Sequence, residues 1–211
     1  MYKHFVFDVD GTLIDTEQTG VLSLIETIRE LMKVEMRYDE AYKYFGIPSC
    51  KVAPMLGYPD EQRFIDLWED NFVKMMYLMK PFPGVEEMLS AIKKAGRKIG
   101  CVTSRNQLEF GHDPHIQKLV PYFDHIVCAE DSVRHKPFPD PMYAYMRKSA
   151  EATGMPVLPE ECVYIGDTMH DYSCGHDAGC DFVLADWRNR GMQGIPAQKR
   201  ISSAEEILEL L

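Results

Sequence analysis

Asp8-Val-Asp-Gly-Thr-Leu-Ile-Asp-Thr-Glu17 directly follows Met1-Tyr-Lys-His-Phe-Val-Phe7, an apolar run that predicts a short buried strand. Residues two apart on a strand face the same side, so Asp8 and Asp10 leave its end with both carboxylates near one point. Two like charges this close are unfavourable unless a cation lies between them or one is protonated. Gly11 then allows a sharp turn. Open α/β sheets place their ligand sites at such strand ends.

The same stretch has a second interpretation, because Asp and Gly are also common residues of surface turns. Turn statistics alone do not choose between a surface turn and a cation site. The choice depends on which other polar residues the fold brings to this strand end.

The composition is that of an acidic globular protein. Its 211 residues suffice for one large domain or two small ones, and 45% are apolar. The formal net charge of −10 argues against nucleic acid or an acidic membrane surface as a partner. The six cysteines form no C-x-x-C pair and no signal peptide is visible, so we expect reduced core cysteines and a cytoplasmic protein. A monomer and a homodimer are both compatible with this sequence.

The segment from residue 16 to residue 79 has a helical pattern. Its apolar residues recur at helical spacing, as Val21, Leu24, Ile28 and Leu31 illustrate. We predict helices from Val21 to Met32, at 39–45 and at 59–79, with a break at Gly46-Ile-Pro48.

Helix and strand alternate after Lys80-Pro-Phe-Pro-Gly84. We predict strands at 97–102, 125–129, 161–165 and 181–185, and helices at 85–95 and 139–152. A capping box at Ser202 and Glu205 opens a last helix to Leu211. With the first strand, this pattern predicts an α/β fold with a Rossmann-like parallel sheet of about five strands and helices on both faces.

The helical segment interrupts this alternation directly after the first strand. We therefore expect an α/β catalytic core made of residues 1–15 and 80–211, and an all-helical cap made of residues 16–79. An insertion at that place is positioned to act as a lid.

Three further polar groups each follow a predicted strand: Thr103-Ser104-Arg105, Lys136 before Pro137, and the run from Gly166-Asp167 to Asp171. The carboxyl ends of parallel strands share one edge of a sheet. We therefore expect these groups to converge beside Asp8 and Asp10.

The acids of this edge suit a hard cation. Carboxylates at Asp8, Asp10 and Asp167 are the oxygen ligands that Mg²⁺ prefers. Asp171 follows Asp167 at i+4 on a predicted helix start, so both lie on one face.

The remaining groups suit a phosphate. Thr103 offers a hydroxyl, Lys136 a positive charge, and the backbone near Ser104 offers N–H donors. A metal and a lysine would neutralise a phosphoryl group, and a carboxylate could attack its phosphorus.

Together these motifs resemble the haloacid dehalogenase-like hydrolase superfamily over nearly the whole chain. The superfamily's D-x-D-G-T, its strand ending in Thr or Ser, its Lys before Pro and its G-D-x-x-x-D are matched by Asp8–Thr12, Ile99–Thr103, Lys136-Pro137 and Gly166–Asp171. The helical insert resembles the small α-helical cap of the phosphoglycolate phosphatase and β-phosphoglucomutase-like branch.

The resemblance implies a role for each motif residue. Asp8 would be the nucleophile, and Asp10 would act first as general acid and then as general base. Mg²⁺ would be held by Asp8, the main-chain carbonyl of Asp10 and Asp167. Supporting roles fall to Asp171 beside the metal, to Thr12 in orienting Asp10, and to Thr103, Ser104 and Lys136 in holding the phosphoryl group.

The acid at position 10 narrows the expected reaction. Haloacid dehalogenases and phosphonatases of the superfamily lack it, so the resemblance implies a Mg²⁺-dependent phosphatase that hydrolyses a small phosphorylated metabolite through an aspartyl-phosphate. The mutase branch typically carries a cap histidine here, and Thr16–Gly20 has none. A phosphoglucomutase-like phosphotransferase and a non-catalytic binding module on the same fold remain alternatives.

Residues that would choose the substrate are less clear from sequence. Candidates in the cap are Glu17, Gln18, Tyr44, Gly46, Ser49 and Lys51. Arg105 would contact a second anionic group of the substrate or form a surface salt bridge, and the sequence favours neither.

The loop 107–115 departs from the pattern expected for this branch. Its His112, Asp113 and His115 are the residue types that bind transition metals. A solvated or helix-capping role is the more common one for such a loop, and we favour it.

Overall fold

The computed structural model describes residues 1–45, 47, 49–188 and 194–211, apart from the side chains of Ser49 and Cys50. Its strands are β1 His4–Phe7, β2 Ile14–Asp15, β3 Lys80–Pro81, β4 Lys98–Val102, β5 His125–Val127, β6 Cys162–Gly166, β7 Asp181–Ala185 and β8 Lys199–Ile201. Its α-helices are α1 Glu17–Met32, α2 Tyr38–Ala41, α3 Ser49–Met55, α4 Glu61–Lys74, α5 Val85–Lys94, α6 Gln107–His112, α7 Pro114–Leu119, α8 Asp140–Thr153 and α9 Met169–Asp177.

Strands β5-β4-β1-β6-β7-β8 form one parallel sheet in that order, while β2 and β3 pair separately. From β1 the chain runs outward through β4 to β5, then crosses back and runs outward through β6 and β7 to β8. The direction of winding therefore reverses beside β1, where open α/β sheets bind their ligands. The predicted α/β class and Rossmann-like parallel sheet are confirmed.

Strand β1 is buried along its whole length, as expected for a strand covered on both faces. On one face, Val6 packs in an apolar cluster with Tyr145 of α8, Tyr164 of β6 and Phe182 of β7. Gly100 makes room for this packing, because a Cβ there would lie 2.2 Å from the Tyr145 ring. Burying each such side chain contributes ~1.5–3 kcal/mol to the free energy of folding. This packing therefore stabilises the strands whose ends carry the polar motifs.

The chain divides into two compact units, one of Met1–Ile14 with Pro81–Leu211 and one of Asp15–Lys80. The second unit is helical and has its own apolar core, which includes Val21, Leu24, Ile28, Ala41, Val52, Ala53 and Phe64. Its helices α1 and α4 are joined by a hydrogen bond from Trp68 Nε1 to Ser23 Oγ of 2.9 Å.

Several element boundaries differ from the sequence prediction in the helical unit. Helix α4 begins after Asp60, whose side chain accepts the Arg63 N–H, and ends at Lys74, before Met79. Helix α3 was not predicted, and it contains Pro54, a residue that disfavours a helix interior.

The C-terminal part of the chain also differs. The sixth strand, β8, was missed because it has only three residues and buries only Ile201. The last helix is a 3₁₀ helix at Ala204–Leu210 capped by Ser203 and Glu206, so the predicted cap at Ser202 and Glu205 was one residue too early. The loop 107–115 forms α6 and the start of α7.

The cysteines described in the structure are free and buried, as predicted: Cys101, Cys128, Cys162, Cys174 and Cys180. Burial raises the pKa of the Cys128 thiol to about 11 and that of Cys174 to about 12, which keeps both protonated at neutral pH. Within the described residues, no helix is long and apolar enough to cross a membrane.

Candidate active site

The strand ends that carry the motifs are in register. Phe7 pairs with Cys101 on one side and with Ile165 on the other, so the residues that follow these three meet at one edge. The Asp8 N–H continues the ladder by donating to Ile165 O over 2.9 Å. Gly11 turns the chain at φ 83°, a conformation that glycine adopts at little cost.

A buried lysine lies between two carboxylates at this edge. Lys136 Nζ donates to Asp8 Oδ1 over 2.6 Å and to Asp171 Oδ1 over 2.7 Å. The side chains are only 5%, 8% and 3% exposed for Lys136, Asp8 and Asp171. We call these three residues the lysine triad. Burial alone would lower the pKa of Lys136, but Asp171 and Asp8 raise it above its usual value, so the ammonium stays charged.

Asp171 is the most firmly held member of the lysine triad. Its Oδ1 accepts the Tyr164 hydroxyl over 3.0 Å, and its Oδ2 accepts the Thr168 hydroxyl over 2.5 Å and the Thr168 N–H over 3.1 Å. The bond from the Thr168 N–H is one half of the capping box of α9, and the other half is the Asp171 N–H, which donates to Thr168 Oγ1 over 3.2 Å. Burial opposes ionisation of Asp171, but Lys136 and the hydrogen bonds outweigh it and lower the pKa of Asp171.

Asp167 lies beside the lysine triad with an unsatisfied oxygen. Oxygens of Asp8, Asp167 and Asp171 lie within 4.8 Å of one another, the one such group of potential metal ligands in the described residues. Asp167 Oδ1 is buried, and no residue in the described part of the chain donates a hydrogen bond to it. A buried carboxylate oxygen without a donor is costly unless a cation satisfies it.

The pKa values of these acids also favour a bound cation. Burial, with Asp171 and Asp10 nearby, raises the pKa of Asp8 to about 7 although Lys136 opposes this. Burial and the charges of Asp171 and Asp8 also raise the pKa of Asp167 well above its usual value. Three acids share one lysine here, and a divalent cation would allow all three to ionise. The residues present therefore fit a Mg²⁺ ion, which prefers carboxylate oxygens.

Two glycines make room for these carboxylates. A Cβ at Gly11 would lie 2.1 Å from Asp167 Oδ2, and a Cβ at Gly166 would lie 2.4 Å from Asp171 Cβ. Neither neighbour can withdraw without moving an acid of the site. The turn after Asp10 thus needs glycine both for its φ angle and for the space it leaves.

A second buried cation lies between two other carboxylates. Arg105 Nε and Nη2 donate to Asp10 Oδ2 and Oδ1 over 2.9 and 2.6 Å, and Nη1 donates to Asp113 Oδ2 over 2.7 Å. We call Asp10, Arg105 and Asp113 the arginine triad. Its side-chain exposures are 38% for Asp10, 9% for Arg105 and 0% for Asp113. The sequence left open whether Arg105 binds a substrate anion or forms a salt bridge on the surface. Its guanidinium is buried, so the surface salt bridge is wrong.

Asp113 was missed as a site residue, although its local role was foreseen. It is the N-cap of α7, and its Oδ1 accepts the N–H groups of His115 and Ile116. Asp113 before Pro114 at a helix start is a readable capping signal. Its pairing with Arg105 has no sequence signature. Within the described residues, His112, Asp113 and His115 form no metal-binding group.

The predicted phosphate-binding residues lie at the end of β4. Thr103 is buried, and its Oγ1 accepts the Arg105 N–H over 3.1 Å while its hydroxyl hydrogen can still donate. Ser104 is exposed at the same edge. Thr12 is fully buried, and its Oγ1 has no hydrogen-bond partner in the described part of the chain. The Asp10 carboxylate accepts its hydrogen bonds from Arg105, and the orienting role of Thr12 stays a prediction.

The substrate candidates in the helical unit are less informative. Glu17 is buried and its Oε1 accepts the Tyr38 hydroxyl over 3.1 Å. Gly46 and the side chain of Ser49 lie outside the described residues. The roles proposed for Glu17, Gln18, Tyr44 and Lys51 remain predictions.

Comparisons with known proteins agree with this geometry. The family model described as haloacid dehalogenase-like hydrolase matches residues 5–185. Among curated proteins, "Pyrophosphatase PpaX" of Bacillus mycoides (strain KBAB4) is 26% identical over 207 residues, covering 98% of this chain and 94% of that protein. The PpaX of Bacillus velezensis is also 26% identical and is covered to 93%.

Solved structures share the fold. A provisionally assigned phosphoglycolate phosphatase from Lactobacillus plantarum has a TM-score of 0.84 at 23% identity, with both chains covered in full. CbbY from Rhodobacter sphaeroides, solved in complex with phosphate, has a TM-score of 0.73 at 21% identity and covers 98% of this chain and 96% of its own.

Proposed function

Since the chain belongs to the haloacid dehalogenase-like hydrolases, we propose that it is a Mg²⁺-dependent phosphatase acting on small phosphorylated metabolites. The observation that carries this proposal is the lysine triad with Asp167 beside it. A nucleophile, a buried cation and an unsatisfied carboxylate oxygen meet at one sheet edge. These are the parts that phosphoryl transfer to a carboxylate requires.

In the first half of the reaction, a carboxylate oxygen of Asp8 attacks phosphorus. The P–O bond to the leaving alcohol breaks, and its electron pair goes to the alcohol oxygen, which takes a proton from the Asp10 carboxyl group. Lys136 and Thr103 stabilise the charge on the phosphoryl oxygens. The products are free alcohol and an aspartyl-phosphate on Asp8.

In the second half, water hydrolyses the aspartyl-phosphate. The Asp10 carboxylate takes a proton from the water as its oxygen bonds to phosphorus, and the bond from phosphorus to the Asp8 oxygen breaks. Inorganic phosphate leaves, Asp8 is again a carboxylate, and Asp10 again carries a proton.

Asp8, Asp167 and the main-chain carbonyl of Asp10 would hold the Mg²⁺ ion, with Asp171 in support. When bound, the ion neutralises charge on the phosphoryl group and on the clustered acids. The donor set and the orphaned Asp167 oxygen support this assignment.

The unit Asp15–Lys80 is proposed as the cap that selects the substrate, because it is inserted directly after the Asp8–Thr12 motif. Glu17 is its first candidate residue. A change of KM for some phosphate esters but not others in Glu17→Gln would support this role, and an unchanged substrate profile would remove it.

Pyrophosphate is a second candidate substrate, because curated relatives that span nearly the whole chain are named pyrophosphatases. A phosphotransferase of the mutase type remains the alternative within the enzymes. It would interconvert phosphosugar isomers without releasing phosphate.

The test is phosphate release from a panel of 4-nitrophenyl phosphate, primary alkyl phosphates, sugar phosphates and pyrophosphate, with Mg²⁺ or with EDTA. We expect Mg²⁺-dependent turnover that Asp8→Asn abolishes and that Asp39→Asn, an exposed carboxylate of the helical unit, leaves unchanged. Equal activity of Asp8→Asn and the unaltered protein would refute the nucleophile. Absence of turnover across the panel, with tight binding of a partner, would favour the non-catalytic binding module.

A further inference from the structure

We propose that Arg105, held by Asp113, is a positioning residue that orients the Asp10 carboxylate as the base for hydrolysis of the aspartyl-phosphate. This inference rests on the proposed function and assigns a residue outside the four motifs to its second half. It replaces the expectation that Arg105 binds a second anionic group of the substrate.

The contact between Arg105 and Asp10 fixes a plane. Nε donates to Oδ2 over 2.9 Å and Nη2 donates to Oδ1 over 2.6 Å. Two parallel bonds from a rigid guanidinium set both the position and the rotation of a carboxylate. A lysine at the same place would supply charge without this orientation.

The other side of the guanidinium is anchored in the protein interior. Nη1 donates to Asp113 Oδ2 over 2.7 Å, and Asp113 is fully buried. Asp113 is itself fixed, because its Oδ1 accepts two backbone N–H groups at the start of α7, from His115 over 2.8 Å and from Ile116 over 3.2 Å. Asp113, fixed by these two backbone bonds, therefore restrains the Arg105 guanidinium on the side opposite Asp10.

The main chain of Arg105 is anchored as well. Its N–H donates to Thr103 Oγ1 over 3.1 Å, and its carbonyl accepts the Ala129 N–H over 2.9 Å. The arginine therefore links the phosphate-binding threonine to the Asp10 carboxylate through one rigid residue.

Asp10 depends on this support. Its main chain is set by the turn, where the Gly11 N–H donates to Ile14 O over 2.8 Å, but its side chain is 38% exposed. Within the described residues, its carboxylate receives its hydrogen bonds from Arg105. Without them, the side chain would be free to occupy the other staggered rotamers.

The two parallel bonds from Arg105 to Asp10, called the fork below, suit one of the two proposed roles of Asp10. A guanidinium has donors only, so its two bonds use one lone pair on each Asp10 oxygen. Each Asp10 oxygen keeps a second lone pair that can accept a proton from water. The arrangement therefore presents an oriented carboxylate, as the base role in the second half requires.

Arg105 is also poorly suited to bind a substrate anion. Two carboxylates already face its guanidinium, so the arginine triad carries a net charge of about −1 when all its members are ionised. An incoming anionic group would meet the negative charge of Asp10 and Asp113 beside the guanidinium.

The experiment uses 4-nitrophenyl phosphate, whose leaving group needs no proton. For this substrate kcat/KM reports phosphoryl transfer to Asp8, while hydrolysis of the aspartyl-phosphate contributes only to kcat. We expect Arg105→Lys to lower kcat by ~10–100-fold, since ~1 Å of misplacement can cost that much. KM should fall by a similar factor, kcat/KM should stay within ~3-fold, and a burst of one 4-nitrophenolate per active site should precede the slow steady state.

Two variants make this result specific. Asp113→Asn keeps the cap of α7 through its remaining oxygen but loses the negative charge that pairs with Arg105. We expect it to lower kcat and KM together, as Arg105→Lys does, but by a smaller factor. Arg37→Lys is the matched control, because Arg37 makes the same two-bond contact with Asp39, over 3.0 and 2.9 Å, on the exposed surface of the helical unit. It should leave kcat and KM unchanged.

A double variant tests whether Arg105 acts through Asp10. Adding Arg105→Lys to Asp10→Asn should slow the enzyme no further. A full additional loss would mean an independent role for Arg105 and would overturn the inference.

The outcomes are distinguishable. A merely structural role lowers the folded fraction, so it would lower kcat and kcat/KM equally, leave KM unchanged and produce no burst, which overturns the inference alone. Turnover that does not depend on Asp8 overturns the proposed function and this inference with it.

Discussion

The lysine triad and the arginine triad share one arrangement at the same sheet edge. In each, a buried cation lies between a motif acid and a second acid supplied by a helix start. Asp8 and Asp10 are the two motif acids, and Asp171 and Asp113 are the two helix-capping acids. Neighbouring residues of one turn thus lead into two similar clusters.

The clusters differ in the cation and in the acids around it. Lys136 is a point charge that shares its donors between two oxygens, whereas Arg105 closes a planar fork on one carboxylate. Asp167 lies with the lysine triad and leaves an oxygen unsatisfied. Among the described residues, no third acid joins Asp10 and Asp113 in a group of potential metal ligands.

Each triad has one cation and two acids, so residue composition alone would not distinguish a ligand-binding site from a positioning contact. The differences in geometry and charge do. An excess of buried negative charge at Asp8 favours a bound cation, and that cation together with Lys136 would attract a phosphoryl group. The two-bond contact of Arg105 with Asp10 favours a fixed orientation of the Asp10 carboxylate. Four substitutions or conditions can test that contrast, from the largest expected effect to the smallest.

Lys136→Met should have the largest effect. Removing a charge that stabilises the phosphoryl group costs about 10³-fold in kcat/KM. Because phosphoryl transfer itself is affected, aryl and alkyl phosphates should lose the same factor. Lys148→Met is the control, since Lys148 belongs to the same unit and also pairs with a carboxylate, that of Asp131, over 2.8 Å. A comparable loss in the control would show that the Lys136 effect is structural.

Asp167→Asn should weaken Mg²⁺ binding at the lysine triad. We expect the Mg²⁺ concentration that half-stabilises the protein in thermal unfolding to rise by at least ~10-fold. In EDTA the variant should be more stable than the unaltered protein, because burial and the charges of Asp171 and Asp8 make ionisation of Asp167 costly and an amide avoids that cost. The matched Asp113→Asn should keep the Mg²⁺ midpoint, and a shift there would mean that the two triads are not separate.

Asp113→Asn should instead cost stability. Its hydrogen bond to the charged Arg105 is fully buried, and such bonds contribute about 2 kcal/mol. Urea unfolding should show a lower midpoint with an unchanged m-value. Asp39→Asn removes the exposed counterpart of this contact and should leave the midpoint unchanged. Equal midpoints for both variants would show that burial adds nothing to the fork.

The smallest effect should be a pH dependence of the metal-free protein. The pKa of Asp8 is raised from 3.8 to about 7 on folding, so the folded state binds more protons than the unfolded state between those values. Stability should therefore fall as pH rises from 4 to 7, whereas Asp171, with its lowered pKa, contributes stability that is lost only below its ordinary range.

Thermal unfolding in EDTA at pH 5 and pH 7.5 measures this dependence. We expect a lower Tm at the higher pH, by ~2–4 °C for each kcal/mol involved, and a smaller difference in Asp8→Asn. Mg²⁺ should remove most of the fall. A Tm that rises with pH in EDTA would contradict the ionisation assigned to Asp8.

The sequence predicted the strands of the sheet except β8, and it predicted that Asp8, Lys136 and Asp171 meet at one edge. Apolar strands followed by Asp8, Lys136 and Asp167 place these residues at one edge once the strands are taken as parallel. Each signal is local to a strand end, and topology does the rest. Helix and strand boundaries were less certain, since Pro54 inside α3 and the three-residue β8 give weak patterns.

The arginine triad could not be found in this way. Arg105 and Asp10 are 95 positions apart, and Asp113 belongs to a pair of short helices with no clear periodicity. A side-chain fork depends on rotamers and on the exact end of β4, neither of which residue spacing encodes. The capping role of Asp113 was readable, but its second oxygen was not.

Gly11 and Gly166 have a consequence for how this protein tolerates change. Neither residue contributes an atom to the proposed chemistry, yet any larger residue would occupy the space of Asp167 or Asp171. In a library of random variants, these positions should be as intolerant as the acids themselves. A variant with Gly11 or Gly166 replaced would differ in sequence from a variant of the acids, because it would still contain every proposed catalytic residue. Inactive natural variants of this kind would escape any search that checks only for the motif acids and the lysine.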